Sequence, residues 1–311
     1  MNIMMLIIST LMVITSTSWF NLWIWLEINL FIFIVLLLFN KYKSTIESSL
    51  IYFLIQTISS IFLLFFVLLT NLNYYFYIGI LTPILLKLGV MPFHFWLTIM
   101  IMGVKYKVMY LLLTWQKINP LILLMYSFNM NFIYMFIIFN SLFSMISSFN
   151  FCSFKKILIF SSINQLSWLM FSMIFNKILK IYSFYYFFLM FIIVKMLKQS
   201  NLNFLNQIYN NKMNLIMSLL MLNFLSLAGI PPFLGFVTKL IMLIKFNSNF
   251  IMVSMIMISI FMVYIYIRSM ISAFLMKMPM LNLKKNLKSF KNLIILSLLN
   301  AFLIMYLMII I

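Results

Sequence analysis

Apolar residues fill this chain in runs of roughly twenty, separated by short polar stretches, and a helix of that length crosses the roughly 30 Å hydrocarbon layer of a bilayer. The pattern predicts spans over 2–19, 22–39, 48–70, 74–91, 106–126, 129–149, 155–176, 180–198, 213–246, 250–275 and 292–311. The run over 213–246 is too long for one straight helix and is interrupted by Gly229, Pro231 and Pro232, so it reads as a single discontinuous span. About eleven transmembrane helices result, some of them broken. With no linker long enough to separate a pair of cores, the expected architecture is an all-α polytopic membrane protein forming a single transmembrane domain over 1–311.

The polar breaks supply the orientation. Thirteen lysines follow the even-numbered spans: Lys41, Lys43, Lys105, Lys107, Lys155, Lys156, Lys198, Lys212, Lys277, Lys284, Lys285, Lys288 and Lys291. The opposite loops hold only Lys177 and Lys180, with Lys245 at a helix end. Eleven spans therefore place the basic loops and the N-terminus on one side, whereas a twelfth would move the last five lysines to the wrong side. The first run lacks a basic leader and a small-residue cleavage site, so it is expected to remain as the first span.

Composition narrows the function classes. At 66% hydrophobic residues the chain has too little polar surface to cover a water-soluble globule of 311 residues. The net charge of +19 sits between spans and not on a soluble basic face, which argues against a nucleic-acid partner. Cys152 is the only cysteine and His94 the only histidine, so no haem, iron-sulfur or metal-ligand pattern is present. No GxSxG or phosphate-loop motif supports hydrolase chemistry. Frequent Met, Ile, Phe, Asn, Lys and Tyr, with three Ala, one Arg and no Asp, fit an AT-rich coding genome such as many organellar ones.

Candidate chemistry rests on few groups. Lys87 lies in LLKLGVMPFHFWL, between Pro83 and the pair Gly89 and Pro92, where helix hydrogen bonds are interrupted. Lys117, in TWQKINP, repeats the arrangement thirty residues on, and Lys239 follows the Gly229–Pro232 break. A charge inside a bilayer costs about 2.5–3.5 kcal/mol on insertion scales, so such residues mark ion or proton paths by default. Glu27, inside LWIWLEINLFIF, and Glu47, at the mouth of a span, are the only carboxylates. Low dielectric favours a neutral lysine, and a carboxylate about 4 Å away opposes that by about 4 kcal/mol at an effective dielectric of 20. Forming and separating such a pair makes a proton switch. Thr82, Thr114, Gln116, Ser161, Ser162, Asn164 and Gln165 are candidates to order water along the way. The competing readings are that the lysines snorkel to an interface or merely fill space, that Glu27 neutralises a local lysine, and that His94 is interfacial. Broken spans carrying lysine in both halves match the transport path of inverted-repeat transporters.

The runs WLEINLFIF, KLGVMPFHFW, LLTWQKINPL, KKILIFSSINQLSWLM, NFLSLAGIPPFLGF and YIRSMISAF resemble, in order and along nearly the whole chain, the chain 2 family of mitochondrial NADH-ubiquinone oxidoreductase, in an insect-like form. The resemblance implies an antiporter-like inverted-repeat bundle lacking the first three helices of the full family. It implies a membrane-arm subunit of respiratory complex I in the inner mitochondrial membrane, with the basic loops and N-terminus on the matrix side. Glu27, Lys87, Lys117 and Lys239 then match the family's proton-relay residues. NADH, FMN, iron-sulfur clusters and ubiquinone belong to other subunits, so this chain is expected to carry no cofactor and no metal. The implied partners are other membrane-arm subunits, neighbouring antiporter-like and accessory subunits, and lipids. Departures from the family pattern include Trp25, Val35, Ile51, Met102 in place of a glutamate, Gln165 in place of a histidine, and Thr238 in place of a proline. An independent cation/proton antiporter and a non-conducting scaffold of the membrane arm remain the alternatives.

Overall fold

The computed structural model describes residues 2–39, 42–70, 76–127, 130–205, 207, 214–246, 249–275 and 297. The expected span over 292–311 and the basic run from Lys277 to Lys291, with Lys41 and Lys212, fall outside the described residues, Ser297 apart. Among the described residues the chain is helical with no strand, and it divides into two compact units, Met1–Phe136 and Ile137–Ile311.

The first unit is built from α1 (Asn2–Thr15), α2 (Trp19–Leu38), α3 (Lys43–Thr70), α4 (Tyr77–Leu88), α5 (Phe95–Gly103), α6 (Tyr106–Leu113) and α7 (Ile118–Tyr126). Ser18 caps α2 by accepting from the Asn21 amide at 3.3 Å, so the helix begins three residues before the apolar run suggested. Its buried stripe, Leu22, Leu26, Asn29, Leu30, Phe33 and Leu37, follows the spacing of one helix face.

In α3 the usual polarity is reversed. Thr45, Ser48, Ser49, Tyr52, Gln56, Ser59, Ser60 and Leu63 are buried, while Leu50, Leu54, Ile58, Ile61, Phe65 and Leu68 are exposed. Small residues let neighbouring backbones approach, and apolar ones face outward as lipid requires. The Ser48, Ser49, Ser59 and Ser60 hydroxyls donate to carbonyls three residues earlier, at 2.7–2.8 Å.

Proline sets the breaks. Pro83 cannot donate to the Gly79 carbonyl, and the Thr82 hydroxyl takes that acceptor at 2.9 Å. α4 then stops at Gly89, whose φ of +69° is the left-handed conformation of a helix end. The expected span over 74–91 was followed by no helix until 106. The structure instead adds α5 beyond Pro92, a nine-residue helix too short to register as a separate apolar run. At roughly 18 Å and 14 Å, neither α4 nor α5 alone matches the hydrocarbon thickness.

α8 (Met130–Ser148) leads into the second unit, which contains α9 (Phe154–Ser172), α10 (Asn176–Ser200), α11 (Asn214–Ala228), α12 (Leu234–Lys245) and α13 (Asn249–Leu275). α9 is buried on every side apart from Lys155 and Lys156, which lets it carry Ser161, Ser162, Asn164, Gln165 and Ser167 without facing lipid. After α10, capped by Asn201 in the left-handed region at φ 51°, the chain returns across the start of α9. There Phe154 donates its amide to the Asn203 carbonyl at 3.0 Å, and Leu205 to the Cys152 carbonyl at 2.9 Å. The long run over 213–246 is discontinuous as expected, α11 and α12 being separated by the turn through Gly229 and the two prolines. Five stretches are long and apolar enough to cross a membrane among the described residues: Trp19–Leu38, Lys43–Thr70, Tyr106–Tyr126, Asn176–Ser200 and Phe250–Ser269.

Candidate functional site

Lys87 occupies the last turn of α4, and two exposed carbonyls beside it are closed locally. Gly89 donates its amide to the Leu86 carbonyl at 3.1 Å and Val90 to the Leu85 carbonyl at 3.2 Å, the paired bonds of a Schellman ending. The Trp96 indole adds a third donor, to the Leu86 carbonyl at 3.2 Å. Lys87 makes neither of these closures and lines a cavity of the first unit.

Lys117 stands at a second break. Pro120 cannot reach the Gln116 carbonyl four residues back, and the chain passes from α6 to α7 through a 3-10 turn over Trp115–Lys117. The turn leaves Lys117 only 3% exposed, and Lys87 is 8% exposed. Both are enclosed by protein, which the snorkelling reading does not provide.

The two lysines line one cavity of about 30 Å³, with Asn29, Tyr52, Gln56, Trp96, Gln116 and Asn119 among the other walls. That volume holds one or two water molecules. The Gln116 amide donates to Asn29 Oδ1 at 3.0 Å and its oxygen accepts from the Tyr52 hydroxyl at 3.4 Å, tying α2, α3 and the 3-10 turn together. Glu27, the ninth residue of α2, is half-buried within one turn of Asn29 and Leu30 of the cavity wall. It lies about 12 Å along α2, deeper than the sequence suggested because the helix starts earlier.

In the second unit, Lys239 is on the buried face of α12 with Gly235, Thr238 and Met242. Its Nζ donates to the Ala228 carbonyl at 2.5 Å and lies 5.2 Å from the centre of the Trp168 ring. The end of α11 is closed carbonyl by carbonyl. Ser226 accepts from the Tyr185 hydroxyl at 2.7 Å, Leu227 from the Gln165 amide at 2.9 Å, and Ala228 from Lys239. Gly229, at φ +83°, repeats the Schellman ending of α4, with Ile230 reaching back to the Leu225 carbonyl at 3.4 Å. Both units thus contain the sequence Gly-[Val/Ile]-x-Pro-Phe at a helix end, Gly89–Phe93 and Gly229–Phe233.

A family model described as NADH:quinone oxidoreductase/Mrp antiporter, TM, matches residues 66–265. NADH-ubiquinone oxidoreductase chain 2 of Anopheles gambiae is 41% identical over 306 residues, covering 93% of this chain and 88% of that one. The chain belongs to the NADH-ubiquinone oxidoreductase chain 2 family. The Aedes aegypti chain 2 is 36% identical over 300 residues, covering 91% of this chain and 86% of its own length. The fold extends further: a chain of respiratory complex I from Thermus thermophilus superposes with a TM-score of 0.84 at 16% identity, covering 97% of this chain and 77% of that one.

Within this chain 2 family member, the expected water-ordering residues divide sharply. Gln116 lines the cavity, but Thr82 is exposed and Thr114 returns its hydroxyl to the Tyr110 carbonyl at 2.7 Å. Gln165 has both ends committed to protein, its amide to Leu227 and its oxygen to the Tyr182 hydroxyl. His94, expected at an interface, is buried on the turn after Pro92 and packs against Phe95 at 4.2 Å between ring centroids. Met102 is 41% exposed, on an outward face. The residues missed by sequence reasoning are Asn29, Tyr52, Gln56 and Asn119 at the cavity and Tyr182 and Tyr185 at the α11 end. Tyr52 and Gln56 could have been found from the polar seam of α3, in which they are one turn apart.

Proposed function

We propose that the chain is a multi-pass, membrane-arm subunit of respiratory complex I, the proton-translocating NADH:ubiquinone reductase, with Glu27, Lys87, Lys117 and Lys239 as its titrating groups. Proton translocation is driven by electron transfer in other subunits, to which NADH, flavin, iron-sulfur clusters and ubiquinone are assigned. The observation that carries the mechanism is the shared cavity, which places Lys87 and Lys117 on one polar space of water size.

In this mechanism the Glu27 carboxylate stabilises the ammonium form of Lys87, and a change in their separation shifts the balance towards release. A released proton passes through the cavity to Lys117. Lys239, held by Ala228 at the end of a broken helix, is the corresponding group of the second unit. Eleven spans are counted by taking α4 with α5, α6 with α7 and α11 with α12 as single spans and adding 292–311. The basic loops and N-terminus then face the matrix of the inner mitochondrial membrane.

Two experiments test the proposal. Extraction in mild detergent should recover the chain with other membrane-arm subunits, whereas a chain that runs alone supports an independent cation/proton antiporter. In the assembled complex, Lys87→Met should slow proton pumping. Pumping equal to that of the unaltered complex makes the chain a scaffold.

A further inference from the structure

Asn119 is 2% exposed and lies on the wall of the cavity that Lys87 and Lys117 share. Both polar atoms of its amide, Nδ2 and Oδ1, are buried without a hydrogen-bond partner among the described residues. An amide buried in that way costs free energy unless something in the space beside it makes the bonds. The neighbouring amide is different in kind, since Gln116 is already bound to Asn29 and Tyr52. The cavity has room for one or two waters, and a water needs two to four polar partners, which the lysines and Asn119 on its walls can supply together.

We infer that Asn119 is a positioning residue that binds the cavity water between Lys87 and Lys117 and orients it for proton transfer. The inference rests on the relay reading of the two lysines. An amide suits the task because it both donates and accepts, so it fixes a water in either orientation without titrating. A proton leaves the Lys87 ammonium for the water while one of the water's own protons passes to the neutral Lys117 amine. The water is regenerated, and the reverse transfer uses the same atoms. Asn119 lies two residues from Lys117, immediately before Pro120, so the helix break that buries the lysine also sets the amide.

The test uses the intact complex, isolated in mild detergent and returned to vesicles. Asn119→Leu keeps the side chain's approximate size and removes both polar atoms, while Asn119→Ser enlarges the cavity and retains a donor and an acceptor. The inference expects the leucine variant to lose proton-coupled turnover by roughly two- to tenfold, the range for one hydrogen bond, with the serine variant near the unaltered rate. A packing role gives the opposite order, with serine the worse, and that result overturns the inference. A map of the whole complex that resolves waters reads the same point independently of activity, including where the leucine variant fails to assemble. Water within hydrogen-bond distance of the Asn119 amide and of a lysine supports it, and an Asn119 amide bonded only to protein overturns it. If both Asn119 variants pump normally while Lys117→Met does not, the water role fails and the relay stands. If Lys87→Met and Lys117→Met also pump normally, the relay itself has failed.

Discussion

Lys239 donates to the carbonyl oxygen of Ala228, eleven residues earlier, across the turn that breaks its own span. The amino group thereby sits at the negative end of the α11 dipole, where a positive charge is favoured. It has a structural task as well as a proposed titrating one.

Lys239→Met should therefore lower stability as well as pumping. Leaving the Ala228 carbonyl buried and unpaired costs about 1–3 kcal/mol, and thermal unfolding of the assembled complex measures it. A variant that pumps poorly but melts normally would show that the hydrogen bond adds nothing to stability.

Gly229→Ala should disturb the same group through the backbone. The residue sits at φ +83°, and an added Cβ would lie 3.0 Å from both Cδ and Nζ of Lys239. The left-handed conformation alone costs a non-glycine residue about 1–2 kcal/mol. The expected outcome is reduced assembly together with slower proton translocation, measured on native gels and in vesicles.

Gln165→Leu should destabilise without touching a titrating residue. It removes the donor to Leu227 and the acceptor for Tyr182, leaving two buried polar groups at about 1–3 kcal/mol each. The midpoint of thermal unfolding should fall while NADH oxidation per assembled complex stays close to normal.

Glu27→Gln removes the charge that the proposed relay pairs with Lys87 while keeping a similar shape. Each 1.4 kcal/mol or so by which that charge favours the ammonium form shifts the protonation balance tenfold. Proton-coupled turnover should therefore fall severalfold with assembly intact. Loss of assembly without a separate pumping defect would mark Glu27 as structural.

The helical, membrane-spanning character was legible because lipid demands continuous apolar length, and the breaks because Gly89, Pro120 and Gly229 leave few ways to continue a helix, but the nine-residue α5 was too short to show. The family followed from the motifs around them. Asn119 was not legible: two residues after a lysine and next to a proline in an Asn-rich chain, its amide could equally have faced lipid headgroups or its own backbone. Only the 3-10 turn over Trp115–Lys117 decides which way the segment faces. Gln165 was misjudged for the related reason that its partners, Leu227 and Tyr182, come from distant segments.

The reversed polarity of α3 bears on the order of events during biogenesis. Its seam serines already bond to carbonyls of their own helix, and its outer face already suits hydrocarbon, so the segment can enter a membrane as a solitary rod before any neighbour arrives. Insertion and docking are then separable stages, with the Tyr52 hydroxyl left to find Gln116 once the neighbouring helices arrive.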